Sequence, residues 1–136
     1  MRAVYDEVVI KGLREFEDAV HVESLVKKRT ILVEDVYIHD KWSDLNKKLG
    51  RGEVETLVYA SRITADLILM DDLLARIEAR RRNFRVKGTL GILYEAYKKG
   101  FLELNNFENL IQEIILRNDI WIHKELCKNV LKKAKC

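Results

Sequence analysis

Gly52-Glu53-Val54-Glu55-Thr56-Leu57-Val58-Tyr59-Ala60, followed a turn later by Ala65-Asp66-Leu67-Ile68-Leu69-Met70-Asp71-Asp72, is the stretch whose reading decides the fold. In the first half Val54, Leu57, Val58 and Ile63 recur at helical spacing, which predicts a helix opened by Glu53 and Glu55 and running to about Ile63. In the second half Leu67 to Met70 is a short apolar run closed by two aspartates, which predicts a strand over 66–71. A helix feeding a strand is the repeating unit of an α/β sheet, and the carboxyl end of such a strand is where α/β folds place their sites. Two acidic clusters therefore fall where metal-dependent phosphodiester chemistry would want its carboxylates.

Working outward, Asp72 is expected to cap a helix through Arg82, because an aspartate oxygen can accept the free N–H groups of a first turn. Phe84 to Lys87 reads as a short strand. Thr89 to Lys99, Phe107 to Arg117 and His123 to Lys133 read as amphipathic helices, with Gly100 stopping the first. Towards the N-terminus, residues 3–8 and Leu13 to Lys28 read as helices broken at Gly12, the second with Leu13, Phe16, Val20 and Leu25 on related faces. Thr30 to Val36, rich in β-branched residues, reads as a strand, and Trp42 to Leu49 as a short helix. The expectation is an α/β fold with a parallel sheet of only three visible strands.

The chain has 136 residues and 48% hydrophobic content, enough for one domain with a core, and it has no proline and six glycines, so no linker marks a boundary. A balance of 25 basic to 22 acidic residues gives a net charge of +3, which neither demands nor excludes a nucleic-acid partner. Cys127 and Cys136 make neither a CxxC pair nor a zinc pattern and are expected as reduced thiols. No run approaches the ~20 apolar residues that span a bilayer, and the N-terminus does not read as a signal peptide. A cytoplasmic protein without a membrane partner is the expectation.

Taken together, Gly52-Glu53-Val54-Glu55, Asp71-Asp72-Leu73-Leu74-Ala75-Arg76 and Val86-Lys87-Gly88-Thr89-Leu90-Gly91-Ile92-Leu93 resemble, in order and spacing, the second half of a prokaryotic PIN-domain subgroup of unknown function. Thr56 and Leu57 stand where that pattern has Ala and Ile. Ala3-Val4-Tyr5-Asp6-Glu7 resembles the family's second motif, and the helices after position 93 resemble its C-terminal part, so the resemblance spans 1–136 as a single PIN-like domain. It implies a three-layer α/β/α fold. The family's opening strand with its metal-binding aspartate, the helix after it and the second strand have no counterpart before Ala3. The expectation is thus an N-terminally truncated PIN fold, from a start assigned downstream, a shortened gene, or completion by another copy.

The resemblance implies a nuclease that hydrolyses RNA or DNA with Mg²⁺ or Mn²⁺ on clustered carboxylates, including the toxin type of prokaryotic toxin–antitoxin pairs. Such cations prefer oxygen ligands and keep waters, leaving room for a phosphate oxygen and a nucleophilic water. Carried over by position, Glu7, Glu53 and Asp72 are the catalytic candidates, with Glu55 and Asp71 as further metal-ligand candidates. Arg76, Arg80, Arg81 and Lys87, with Arg82 and Arg85 in the same run, and Thr89 at a helix start, are the candidates for holding a phosphate backbone. RNA or another single-stranded nucleic acid, an antitoxin protein and a second copy of the chain are the implied partners. The competing reading is a catalytically impaired remnant that binds nucleic acid or protein.

Overall fold

The structure, a computed structural model, describes residues 1–12, 16–39 and 42–135. It divides the chain into two compact units, Met1–Ile68 with Asp72–Arg85, and Leu69–Asp71 with Val86–Cys136. Leu13 and Cys136, singled out in the sequence, lie outside the described residues.

In the first unit, helix α1 (Arg2–Tyr5) continues into a π-helical turn, Asp6–Ile10, and α2 (Glu17–Lys27) follows beyond Gly12. Helix α3 (Ser43–Asn46) is a single turn, whereas α4 (Arg51–Ile63) and α5 (Leu73–Arg81) are full helices. Helix α4 is the hub, packing against α1, α3 and α5. Its apolar stripe explains why: Val54, Leu57 and Val58 are buried at the predicted spacing with Ala60 beside them, whereas Ile63, expected on the same face, is exposed at the end of the helix. Helix α5 buries only Ala75 and Ala79, one turn apart, two small side chains that allow close approach.

The second unit is built from α6 (Thr89–Lys98), α7 (Leu104–Leu116) and α8 (Lys124–Ala134), each packed on the other two. Its core is Phe107, Ile111, Ile114 and Cys127. The Tyr97 ring stacks on Phe107 with centroids 5.3 Å apart, and its hydroxyl donates to the Ala134 carbonyl at 3.2 Å, which fixes α6 against the end of α8. Burial pushes the Cys127 thiol pKa up.

The sheet is smaller than the sequence suggested. Strands β1 (Ile68–Leu69) and β2 (Val86–Lys87) form one two-stranded sheet. In the first unit Ile68 N–H donates to the Arg85 carbonyl at 2.9 Å, and in the second Met70 N–H donates to that of Lys87 at 3.1 Å. Partners advance together along both strands, so the pair is parallel.

The strand expected over Thr30 to Val36 does not form. With no strand beside it among the described residues, its bonds go elsewhere: Arg2 N–H donates to the Glu34 carbonyl at 2.9 Å, and the Arg62 guanidinium to the Tyr37 carbonyl. Ile31, Leu32 and Tyr37 stay exposed. The face expected of α2 is also displaced, since Phe16 and Val20 are exposed and Ala19 is buried, with Val22 and Val26 half-buried on its side. That face lies towards the π-helical turn on which α2 packs.

Four helix ends share one geometry. Arg29, Thr64, Asn83 and Gly100 have φ of 57°, 50°, 63° and 77°, each in the left-handed region. The residue after each donates to the carbonyl five residues back: Thr30 to Leu25, Ala65 to Ala60, Phe84 to Ala79 and Phe101 to Ala96. These are Schellman closures, and only Gly100 adopts the conformation without steric cost. Thr64, β-branched, is the most strained of them. Thr64→Gly is expected to raise the unfolding free energy by about 1 kcal/mol, read as a higher urea midpoint; an unchanged or lower midpoint would contradict the strain.

Candidate acidic site and basic helix

Glu55 borders the Val58 edge of the buried stripe of α4, and it is 1% exposed, the single fully buried charged residue among those described. Its Oε2 accepts Ala3 N–H at 2.9 Å and its Oε1 accepts from Arg51 Nε at 3.0 Å. The first bond satisfies a free N–H of the N-terminal helix, and the second is an i,i+4 pair along α4. Both oxygens are therefore committed to the fold. The Arg51-x-x-x-Glu55 spacing was visible in the sequence; the Ala3 bond was not, because 52 residues separate its partners.

Glu7 and Glu53 lie at the same helix start, Glu7 beside Gly52 and Glu53 over Gly50. Glu7 is exposed on the π-helical turn, and a Cβ added at Gly52 would stand 3.5 Å from its Oε2 and 3.2 Å from Val4 Cγ2. Gly52 thus lets the N-terminal helix lie against the first turn of α4 with the Glu7 carboxylate beside it. Glu53, half-buried, occupies the third position of α4, and its carboxylate folds back over Gly50, the N-cap. Neither carboxylate accepts a protein hydrogen bond among the described residues.

The two aspartates serve different helices. Asp72 caps α5, its Oδ1 accepting Ala75 N–H at 2.7 Å, as the sequence predicted, and Oδ2 has no partner among the described residues. In the second unit Asp71 accepts Thr89 N–H on Oδ1 at 2.9 Å and the Thr89 hydroxyl on Oδ2 at 2.5 Å. Both lie past the end of β1, Asp72 as the N-cap of α5 and Asp71 on the first residue of α6. Among the described residues no group of three or more His, Cys, Asp or Glu is arranged to hold a metal ion.

The basic candidates divide in the same way. On α5, Arg80 and Arg81 are exposed in the last turn, and Arg76 Nε is buried without a hydrogen-bond partner. Arg82 donates to Glu78 at 2.8 Å and stacks over Trp42, 4.2 Å from the ring centroid, a pairing across 40 residues that no local pattern announces. In the second unit Lys87 is paired with Glu95, whose other oxygen takes Lys99 at 2.7 Å, and Thr89 is held by Asp71. Lys87 and Thr89 are accordingly engaged within the protein, while Arg76, Arg80 and Arg81 keep donors to spare.

A family model described as a PIN domain matches residues 1–136, the full length of the sequence. The chain belongs to the PIN-domain family. No curated protein and no solved structure gives a match. PIN domains have a three-layer α/β/α, nuclease-type fold and in general use divalent metals; in this PIN-domain chain the described part is mostly helical with a short parallel sheet.

Glu55→Ala is expected to destabilise this PIN-domain chain by about 2 kcal/mol, because it strands a buried N–H as well as removing a charge-assisted bond. Glu55→Gln, which keeps an acceptor, should lose about half of that. Urea denaturation measures both, and equal losses would show that the bond to Ala3 is not what matters.

Proposed function

We propose that this PIN-domain chain is a metal-dependent nuclease-like protein that hydrolyses phosphodiester bonds of RNA, with Mg²⁺ or Mn²⁺ held at the first unit's uncommitted carboxylates. The observation that carries this reading is the contrast inside the acidic set of the first unit. Glu55 is consumed by the fold, whereas Glu7 and Glu53 leave both oxygens open and Asp72 leaves one. Mg²⁺ keeps several waters and takes one or two carboxylates plus substrate phosphates, so a full protein cage is not required for it.

When bound, the cation would supply charge neutralisation at the phosphate and a lowered pKa for a bound water. The chain's own residues do the rest. Glu7, Glu53 and Asp72 would hold the cation, and a carboxylate oxygen left free of it could accept the proton of the attacking water. Arg80 and Arg81 place positive charge at the end of α5 for backbone phosphates, which they would hold without reading sequence. Arg76 lies one turn earlier on the same helix and adds its positive charge, although its Nε is buried.

Single-stranded RNA cleavage that depends on Mg²⁺ or Mn²⁺ is expected to fall at least ~100-fold in Glu53→Gln and in Asp72→Asn. Asparagine caps a helix about as well as aspartate, so Asp72→Asn should leave the urea midpoint within ~0.5 kcal/mol of the parent while Asp72→Ala loses about 1 kcal/mol. Cleavage that survives both charge-removing changes would refute the nuclease reading.

A second reading is favoured by the engaged state of Glu55, Asp71, Lys87 and Thr89: a PIN-domain module that binds nucleic acid or protein without hydrolysis. It is supported if RNA binding persists with no metal-stimulated cleavage. Toxin-type action against RNA, with an antitoxin as protein partner, belongs to the first reading. A homodimer belongs to either, since β1 pairs with β2 alone among the described residues and an open edge invites a strand from a second copy. Light scattering is expected to report twice the chain mass, and a monomer at micromolar concentration would count against pairing.

A further inference from the structure

Trp121 is 95% exposed and, among the described residues, no aromatic ring or cation packs on its indole. Roughly 200 Å² of aromatic surface in water needs a reason. The neighbours remove the simplest one, a loose loop. Ile120 and Ile122 both pack against the core of Phe107, Ile111, Ile114 and Cys127, so the extended segment before α8 is pinned on either side and the alternation turns Trp121 outward. The ring is displayed on an anchored backbone.

Helix α8 begins three residues later, and Lys124, Lys128 and Lys132 follow one another at four-residue steps along one exposed face. Those steps are about 6 Å apart along the helix, comparable to successive phosphates on an extended strand. Lys124 and Lys132 have no carboxylate partner among the described residues, and Lys128 shares its charge with Glu125 at 2.7 Å. Lys133 and Lys135 are used inside the unit, over Tyr94 and on Glu108.

We propose that Trp121 and the Lys124–Lys128–Lys132 face of α8 form a binding surface for single-stranded nucleic acid, with one base stacked on the indole and phosphates following the lysines. Stacking on an aromatic ring beside a cationic track is how proteins hold single strands without sequence preference. A lipid surface fits less well. An interfacial helix needs an apolar face, and that of α8, Cys127, Val130, Leu131 and Ala134, is spent on the core, leaving only Leu126 half-exposed. This surface lies wholly in the second unit and does not depend on whether the first unit's acids hold a metal.

The test uses the full chain, a fluorescein-labelled 15-nucleotide oligouridylate and EDTA, so that no metal-dependent step takes part. By anisotropy, Trp121→Ala is expected to weaken binding about tenfold and Trp121→Phe to restore most of it. Lys124→Ala with Lys132→Ala should flatten the dependence of log affinity on log salt by about 0.7 per lysine. Trp42 is 5% exposed, so iodide quenching reports Trp121, and unlabelled oligouridylate should protect that emission. Circular dichroism should be unchanged in all variants, since every substituted side chain is exposed. Trp121→Ala binding as tightly as the parent, iodide quenching untouched by oligouridylate, or binding to phosphatidylserine vesicles in place of the oligonucleotide would each overturn the proposal. A metal-dependent cleavage assay that fails leaves these results standing, and the reverse also holds.

Discussion

A carboxylate taken out of water must be answered by donors, and the first unit is arranged around that requirement at Glu55. One oxygen takes the Ala3 amide and the other the Arg51 guanidinium, so one side chain ties the start of the N-terminal helix to the middle of α4. Burying the charge would be costly without these partners, and with them it fixes which part of the N-terminal helix meets α4. The same helix brings Glu7 beside Gly52 and packs in turn against α3 and α5.

The other acids obey a related rule. Asp72 sits at the start of α5, Asp71 at the start of α6, and Glu53 in the first turn of α4. Helix starts present free amides and a partial positive charge, and carboxylates collect there whether or not they also do chemistry. In a PIN-domain protein this makes one residue type serve two ends. What distinguishes a residue kept for function is the oxygen left over after the helix has been satisfied. Asp72 has one to spare, Asp71 none, and Glu55 none.

Much of this was legible. The helical spacing of Val54, Leu57 and Val58, the Asp72 cap and the stop at Gly100 all follow from local chemistry, and the structure has them where the sequence put them. What was not legible needed partners distant in sequence or a conformation that the residue type conceals. The roles of Glu55 and Lys87 depend on Ala3 and Glu95, which no local pattern announces. Three left-handed helix ends fall on Arg29, Thr64 and Asn83, where glycine would have been the signal. The strand read at Thr30 to Val36 had the right composition, but a strand exists only beside another strand.

That last segment carries a consequence of its own. Ile31-Leu32-Val33 and Val36-Tyr37-Ile38 are the kind of short, β-branched runs that stack between molecules, and three of these side chains lie open to solvent. Glu34 and Asp35 divide them, and Asp35 is tethered by Arg2 at 3.1 Å. Were identical copies to align this segment in register, each layer would bring carboxylate against carboxylate. The acidic pair is thus placed as gatekeepers are, where stacked carboxylates would make self-association of this exposed stretch electrostatically unfavourable.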